Sequence, residues 1–257
     1  PRENHGHPQH HGIRGEDEGG ERGAAGGHGL WGGIGRVHSA RAAEGADTTG
    51  PMPGPFSKLM AALHAPIYRS RLRELVARIT PHLRPGDRVL DVGCGNGTLG
   101  RALMEATSGV TVEGLERFAR GGEPIHVHRY EGGRMPFEDG AYDAVIVADV
   151  LHHEEDPEGL LGECARVSRR LVIVKDHQLK GLLAKPRVCF MDWAANAPYG
   201  VRCLFRYNTP AQWAEVPGRL GLEVVEALGS MKVYPPVVNA VFGGGLHYFA
   251  VLKKAGA

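Results

Sequence analysis

The chain has 257 residues, 42% apolar and 23% charged, with a formal net charge of +1. That balance suits a soluble globular protein and argues against a broad electrostatic surface for nucleic acid or an anionic membrane. No apolar run approaches the roughly 18 residues that span a bilayer, and no basic-then-apolar stretch resembles a secretory signal, so membrane insertion is not expected. The four cysteines, Cys94, Cys164, Cys189 and Cys203, form no CxxC pair. Free thiols and a reducing cytoplasmic location are the expectation.

The first 51 residues hold 14 of the 38 glycines and six of the 14 histidines, and few large apolar residues at regular spacing. Such a segment buries too little surface to offset its chain entropy, so residues 1–54 are expected to be a disordered tail. One folded domain over 55–257 follows. A helical segment over 56–68 is expected to act as a lid. Leu72, Leu75, Val76 and Ile79 then fall at helical spacing and predict an amphipathic helix over 67–83, with Pro81 near its end. Pro85, Gly86 and Asp87 make a turn into a short apolar strand, RVLDVG.

A helix over 97–107 comes next, then strands over 110–116, 124–130 and 142–149. The last of these, with consecutive Val and Ile, reads as buried on both faces. A helix over 157–168 and strands over 170–176, 222–229 and 246–254 complete the series. Strands separated by helices predict a mostly parallel sheet covered on both faces.

The segment VLDVGCGNGTLG, residues 89–100, carries the most chemistry. A strand ends in Asp91, and Gly93, Gly95 and Gly97 follow at alternate positions before a helix. Glycines there admit positive φ and let a ligand approach backbone amides. Residues 95–100 also fit the GxGxxG dinucleotide fingerprint, so an NAD(P)-dependent oxidoreductase is one reading. An acid just before the glycines crowds a pyrophosphate but suits a cation, which favours S-adenosylmethionine.

The segment resembles motif I of the class I S-adenosylmethionine-dependent methyltransferases, an acid followed by GxGxG. The resemblance implies a Rossmann-like α/β three-layer sandwich. Its seven-stranded, mostly parallel sheet would have order 3-2-1-4-5-7-6, with the last strand antiparallel. It further implies S-adenosyl-L-methionine as methyl donor, with Asp91, Gly93, Cys94, Gly95 and Gly97 around it and Glu116 on its ribose hydroxyls. Residues 130–153 resemble the family's third and fourth motifs, which places Glu131, Gly132, Met135 and Asp149 with the cofactor. Glu131-Gly132 departs from the more usual Asp-Ala. The implied function is methylation of a small or medium-sized organic acceptor at O, N or C. A cofactor-binding partner subunit without catalysis is the alternative from another class.

Methyl transfer depends chiefly on proximity, with a base needed only when the acceptor arrives protonated. Candidates lie at the C-terminal sheet edge: Asp149, His152 and His153 after the fourth strand, and Asp176 and His177 after the fifth. Of these, His153, His152 and His177 are the catalytic candidates, with His153 facing the reaction centre and His152 pointing elsewhere. Adjacent residues rarely point at one ion, and the tail histidines lack a fixed geometry, so no metal is expected. The aromatic-rich insertion over 182–213 is expected to shape the acceptor pocket with Trp193, Asn196, Tyr199, Tyr207 and Asn208. Deleting the residues before Met52 is expected to leave the melting temperature and cofactor affinity unchanged. A loss of many degrees in a thermal melt would contradict this boundary.

Overall fold

The computed structural model describes residues 55–117, 121–196 and 202–255. The tail expected over 1–54, and Tyr199, lie outside the described residues. Seven strands form one sheet: β1 (Arg88–Val92), β2 (Thr111–Glu116), β3 (His126–Arg129), β4 (Tyr142–Ala148), β5 (Ser168–His177), β6 (Leu222–Leu228) and β7 (His247–Lys254). Their order is β3-β2-β1-β4-β5-β7-β6, with β7 antiparallel to both neighbours and the other pairings parallel. The predicted sheet is therefore the observed one.

The central strands are buried on both faces, and their side chains alternate between two cores. Val145, Val147, Val172 and Val174 point to the side packed by α3 (Pro157–Val167) and α5 (Pro210–Arg219). Ala144, Ile146, Leu171 and Ile173 point to the side packed by α1 (Pro55–Ile79) and α2 (Thr98–Ala106). Helix α3 starts where Asp156 accepts a 2.8 Å hydrogen bond from the Gly159 amide. A reciprocal cap between Thr209 and Gln212 starts α5.

The two helical stretches predicted over 56–68 and 67–83 are one helix, α1, that runs across Pro66. A proline inside a helix removes one backbone hydrogen bond, and here the helix continues past it. Pro81 instead falls in a 3₁₀ turn, Thr80–His82, beyond the helix end. Much of the 182–213 insertion is also helical: α4 (Ala184–Asn196) lies within it, and α5 begins at its end. A short α6 (Pro236–Phe242) packs against α4, where the Phe190 and Phe242 rings stack 5.7 Å apart. Parallel strands β1, β4 and β5 end at one sheet edge, where open α/β folds bind ligands.

Candidate active site

At that edge β1 delivers Asp91 into the interior. It is 2% exposed, and its Oδ2 has no hydrogen-bond partner. The loop after it turns through Gly93 (φ 67°), Gly95 (φ 57°) and Gly97 (φ 72°), conformations that side chains resist. A Cβ on Gly97 would stand 2.8 Å from Ile125, whereas Gly95 faces open space. The Gly95 amide donates to Glu116 Oε2 at 2.8 Å, so the last residue of β2 already holds the loop. Cys94 is buried against β2, where Gly114 leaves room for its sulfur. Burial, with the nearby charges of Asp91 and Glu116, pushes its thiol up to about 12.

A second group forms where β4 ends. Asp149 has a left-handed backbone, φ 60°. Its Oδ2 accepts from Arg71 Nε at 2.9 Å and Nη2 at 2.7 Å, and its Oδ1 accepts from the Lys175 ammonium. Burial would raise the Asp149 carboxyl, but Lys175 and Arg71 outweigh it and hold it well below the usual range. Lys175 is 1% exposed, directly after the apolar run 171–174 and ahead of the buried Asp176 and His177. The expected cofactor carboxylate at position 149 thus serves first as counter-ion to two cations.

The third group joins the turn after β4 to the insertion. A 3₁₀ turn, Leu151–His153, carries both histidines. His152 Nδ1 sits 2.6 Å from Asp176 Oδ1 at the end of β5, and its Nε2 lies 3.5 Å from Asp192 Oδ1 on α4. His153 Nδ1 donates to the Arg202 carbonyl at 3.1 Å, and its Nε2 lies 3.6 Å from the same Asp192 oxygen. Tyr207 donates to Asp192 Oδ2 at 2.6 Å, and Asn196 Nδ2 donates to Asp192 Oδ1 at 2.7 Å. His152 therefore does not point away from His153. A tight 3₁₀ turn puts both rings on one side, 4.1 Å apart.

Burial alone would lower the His152 imidazole, but the charge and hydrogen bond of Asp176, helped by Asp192, hold it up to about 10. His153 is lowered by burial and by the positive charge of His152. His177 is buried beside them, its ring 4.7 Å from that of His152, and burial with Lys175 keeps it well below 6.5 and neutral.

Some expected site residues stand apart from these groups. Glu131 is exposed and pairs loosely with Arg129 at 3.5 Å, while Gly132 lies next to it at φ 104°. Met135 is a core side chain, 1% exposed, whose amide donates to Glu163. In the insertion, Asn196 and Tyr207 reach the cluster, Trp193 is 55% exposed, and the Asn208 carbonyl accepts from the Leu179 amide. Arg71, Lys175 and Asp192 were not foreseen. A lysine inside the apolar run LVIVKD was a legible signal for Lys175; neither of the others leaves a mark in the local sequence.

Residues 64–227, well over half of the chain, match the family described as "Methyltransferase domain". The chain belongs to the S-adenosylmethionine-dependent methyltransferases. A ubiquinone biosynthesis O-methyltransferase from Thiobacillus denitrificans is 34% identical over 173 residues, 60% of this chain and 71% of the relative. One from Burkholderia pseudomallei is 26% identical over 162 residues, 56% of this chain and 68% of the relative. The fold is shared with an S-adenosylmethionine-dependent methyltransferase from Archaeoglobus fulgidus (TM-score 0.55, 14% identity, 78% of this chain and 100% of that one). It is also shared with a magnesium protoporphyrin IX methyltransferase from Synechocystis solved with S-adenosylhomocysteine (TM-score 0.51, 17% identity, 77% and 88%). The methyl donor of this methyltransferase is S-adenosylmethionine, and the dinucleotide reading of the glycine loop falls away.

Asp91 carries a measurable consequence for the methyltransferase. Burial, together with the charge of Glu116 and against that of Arg71, raises its carboxyl from 3.8 to about 7. The folded state thus prefers the neutral acid. Its stability contribution is most favourable below about pH 4, declines as the pH rises toward 7, and levels off above that. Asp91→Asn is expected to stabilise the ligand-free protein by roughly 2–4 kcal/mol at pH 8 and hardly at pH 4. Urea unfolding at the two pH values checks this, and equal effects at both would contradict it.

Proposed function

We propose that the methyltransferase acts on a hydroxyl oxygen of a small or medium-sized organic acceptor, received at the His152–His153–Asp192 cluster. The observation that carries this reading is the convergence of His152 Nε2 and His153 Nε2 on Asp192 Oδ1 at the sheet edge, at 3.5 and 3.6 Å. A hydroxyl must shed its proton as the new O–C bond forms, and His153 Nε2 beside Asp192 offers it a place to go. The tautomer of His153 is set by the Arg202 carbonyl, which leaves the Nε2 lone pair facing inward. The relatives' role as O-methyltransferases supports oxygen over nitrogen or carbon.

The residues that would hold the donor are Asp91, Gly93, Gly95, Gly97 and Glu116. The buried, unpartnered Asp91 Oδ2 suits a cationic ligand, and the glycines open the loop to close approach. When bound, S-adenosylmethionine supplies an electrophilic methyl on a sulfonium. Glu116 would exchange its hold on the Gly95 amide for the ribose hydroxyls. Affinity for S-adenosylhomocysteine, which keeps the ammonium, is expected to rise as the pH passes upward through 7, where Asp91 ionises. That rise should vanish in Asp91→Asn, and Glu116→Ala should weaken binding about tenfold to a hundredfold. Calorimetric affinities between pH 5.5 and 8.5 decide it; a flat profile in the unmodified protein counts against the assignment.

The acceptor assignment is tested with phenols, amines and carbon acids offered alongside S-adenosylmethionine. Hydroxyl acceptors should turn over. His153→Ala should lower kcat roughly 10²–10⁴-fold with little change in affinity for S-adenosylhomocysteine. Methylation confined to amines, or full activity in that variant, would defeat the reading.

A further inference from the structure

Every side chain of the acceptor cluster has one polar atom held by the protein and one turned toward a common point. His152 is braced by Asp176 through Nδ1, His153 by the Arg202 carbonyl through Nδ1, and Asp192 by the Tyr207 hydroxyl through Oδ2. The inward atoms, His152 Nε2, His153 Nε2 and Asp192 Oδ1, lie within 4.8 Å of one another. His152 Nε2 is buried with no hydrogen-bond partner, on a side chain only 3% exposed, and it aims at this point.

We propose that His152, His153 and Asp192 bind one divalent first-row transition ion such as zinc, with an open position for the acceptor oxygen. Two imidazoles and a carboxylate are a ligand set for such ions. Ligand atoms around a tetrahedral zinc with bonds of about 2.0–2.1 Å stand roughly 3.3–3.4 Å apart. The two nitrogen-to-oxygen separations, 3.5 and 3.6 Å, are close to that spacing without an ion. The braces match the carboxylate and carbonyl partners that fix metal-bound histidines elsewhere. Asn196 Nδ2 now donates to Asp192 Oδ1 and lies 3.4 Å from His153 Nε2. Turning this amide would present its oxygen to the ion instead. The objection that neighbouring residues seldom share an ion is met by the 3₁₀ turn, which sets the two rings side by side.

The proposal deepens the function given above and rests on it for the acceptor alone. A hydroxyl bound to the ion loses its proton more readily, and the ion takes over the task otherwise left to His153.

Cobalt(II) titration of the full chain tests the site directly. Visible d–d absorption should saturate with one more equivalent in the unmodified protein than in Asp192→Ala or His152→Ala, and zinc should displace it. The tail histidines are common to all samples and cancel in this difference. S-adenosylhomocysteine affinity verifies that each variant is folded, and Asp192→Asn serves if the alanine variants are not. Asp176→Asn should weaken the cobalt affinity about tenfold to a hundredfold by removing a brace. Identical titrations in folded variants and unmodified protein would overturn the site. Hydroxyl methylation that survives exhaustive chelation would overturn the ion's part in turnover while leaving the proposed reaction standing. A saturable cobalt site in a protein that methylates only amines would overturn the proposed reaction while leaving the metal site standing.

Discussion

A buried ammonium needs a carboxylate, and Lys175 finds one in Asp149, which the two charges of Lys175 and Arg71 together keep ionised. This ion cluster ties the last turn of β5, the end of β4 and the long helix α1 into one corner. The left-handed backbone at Asp149 is the visible cost, a strain the paired charges offset. That turn of the chain sends Val150 and the 3₁₀ segment back over the sheet edge, where His152 meets Asp176 and both histidines meet Asp192. Removing one partner would leave an uncompensated buried charge beneath both the donor loop and the acceptor cluster.

The two ends of the proposed site have opposite electrostatic characters. On the donor side Asp91 is a carboxylate short of partners, neutral until a cation arrives or the pH rises. On the acceptor side Asp176 and Asp192 flank His152, so positive charge is welcome there whether carried by a proton or an ion. Arg71 and Lys175 share the single Asp149 carboxylate. In the proposed reaction the methyl donor's cationic end and the acceptor's proton fall to separate carboxylates, Asp91 on β1 and Asp192 on α4.

Much of this was legible in the sequence because it follows from periodicity and backbone geometry. Buried strands such as YDAVIVA, the alternate glycines at 93, 95 and 97, and the acids at 91 and 116 are local signals, and the sheet order came with the family resemblance. What escaped was set by contacts distant in sequence. Arg71 reaches Asp149 across 78 positions, and the partner of both histidines, Asp192, belongs to a helix, α4, that carries no clear amphipathic stripe. Pairing across such distances is decided by packing, so a reading of local pattern placed His152 outward. At Met135 the core holds the side chain, which a reading of the motif does not show.

The close packing of Cys94 on Gly114 bears on chemical self-protection. A thiolate beside a loop that carries an alkylating agent would be a competing nucleophile, ready to capture the methyl group irreversibly. With its thiol pushed up to about 12, Cys94 stays protonated at neutral pH. The absent side chain at position 114 gives the sulfur a dry recess, and the acids on either side make ionisation costlier still. One missing methyl group on β2 thereby makes the room in which this thiol sits buried and protonated beside the glycine loop.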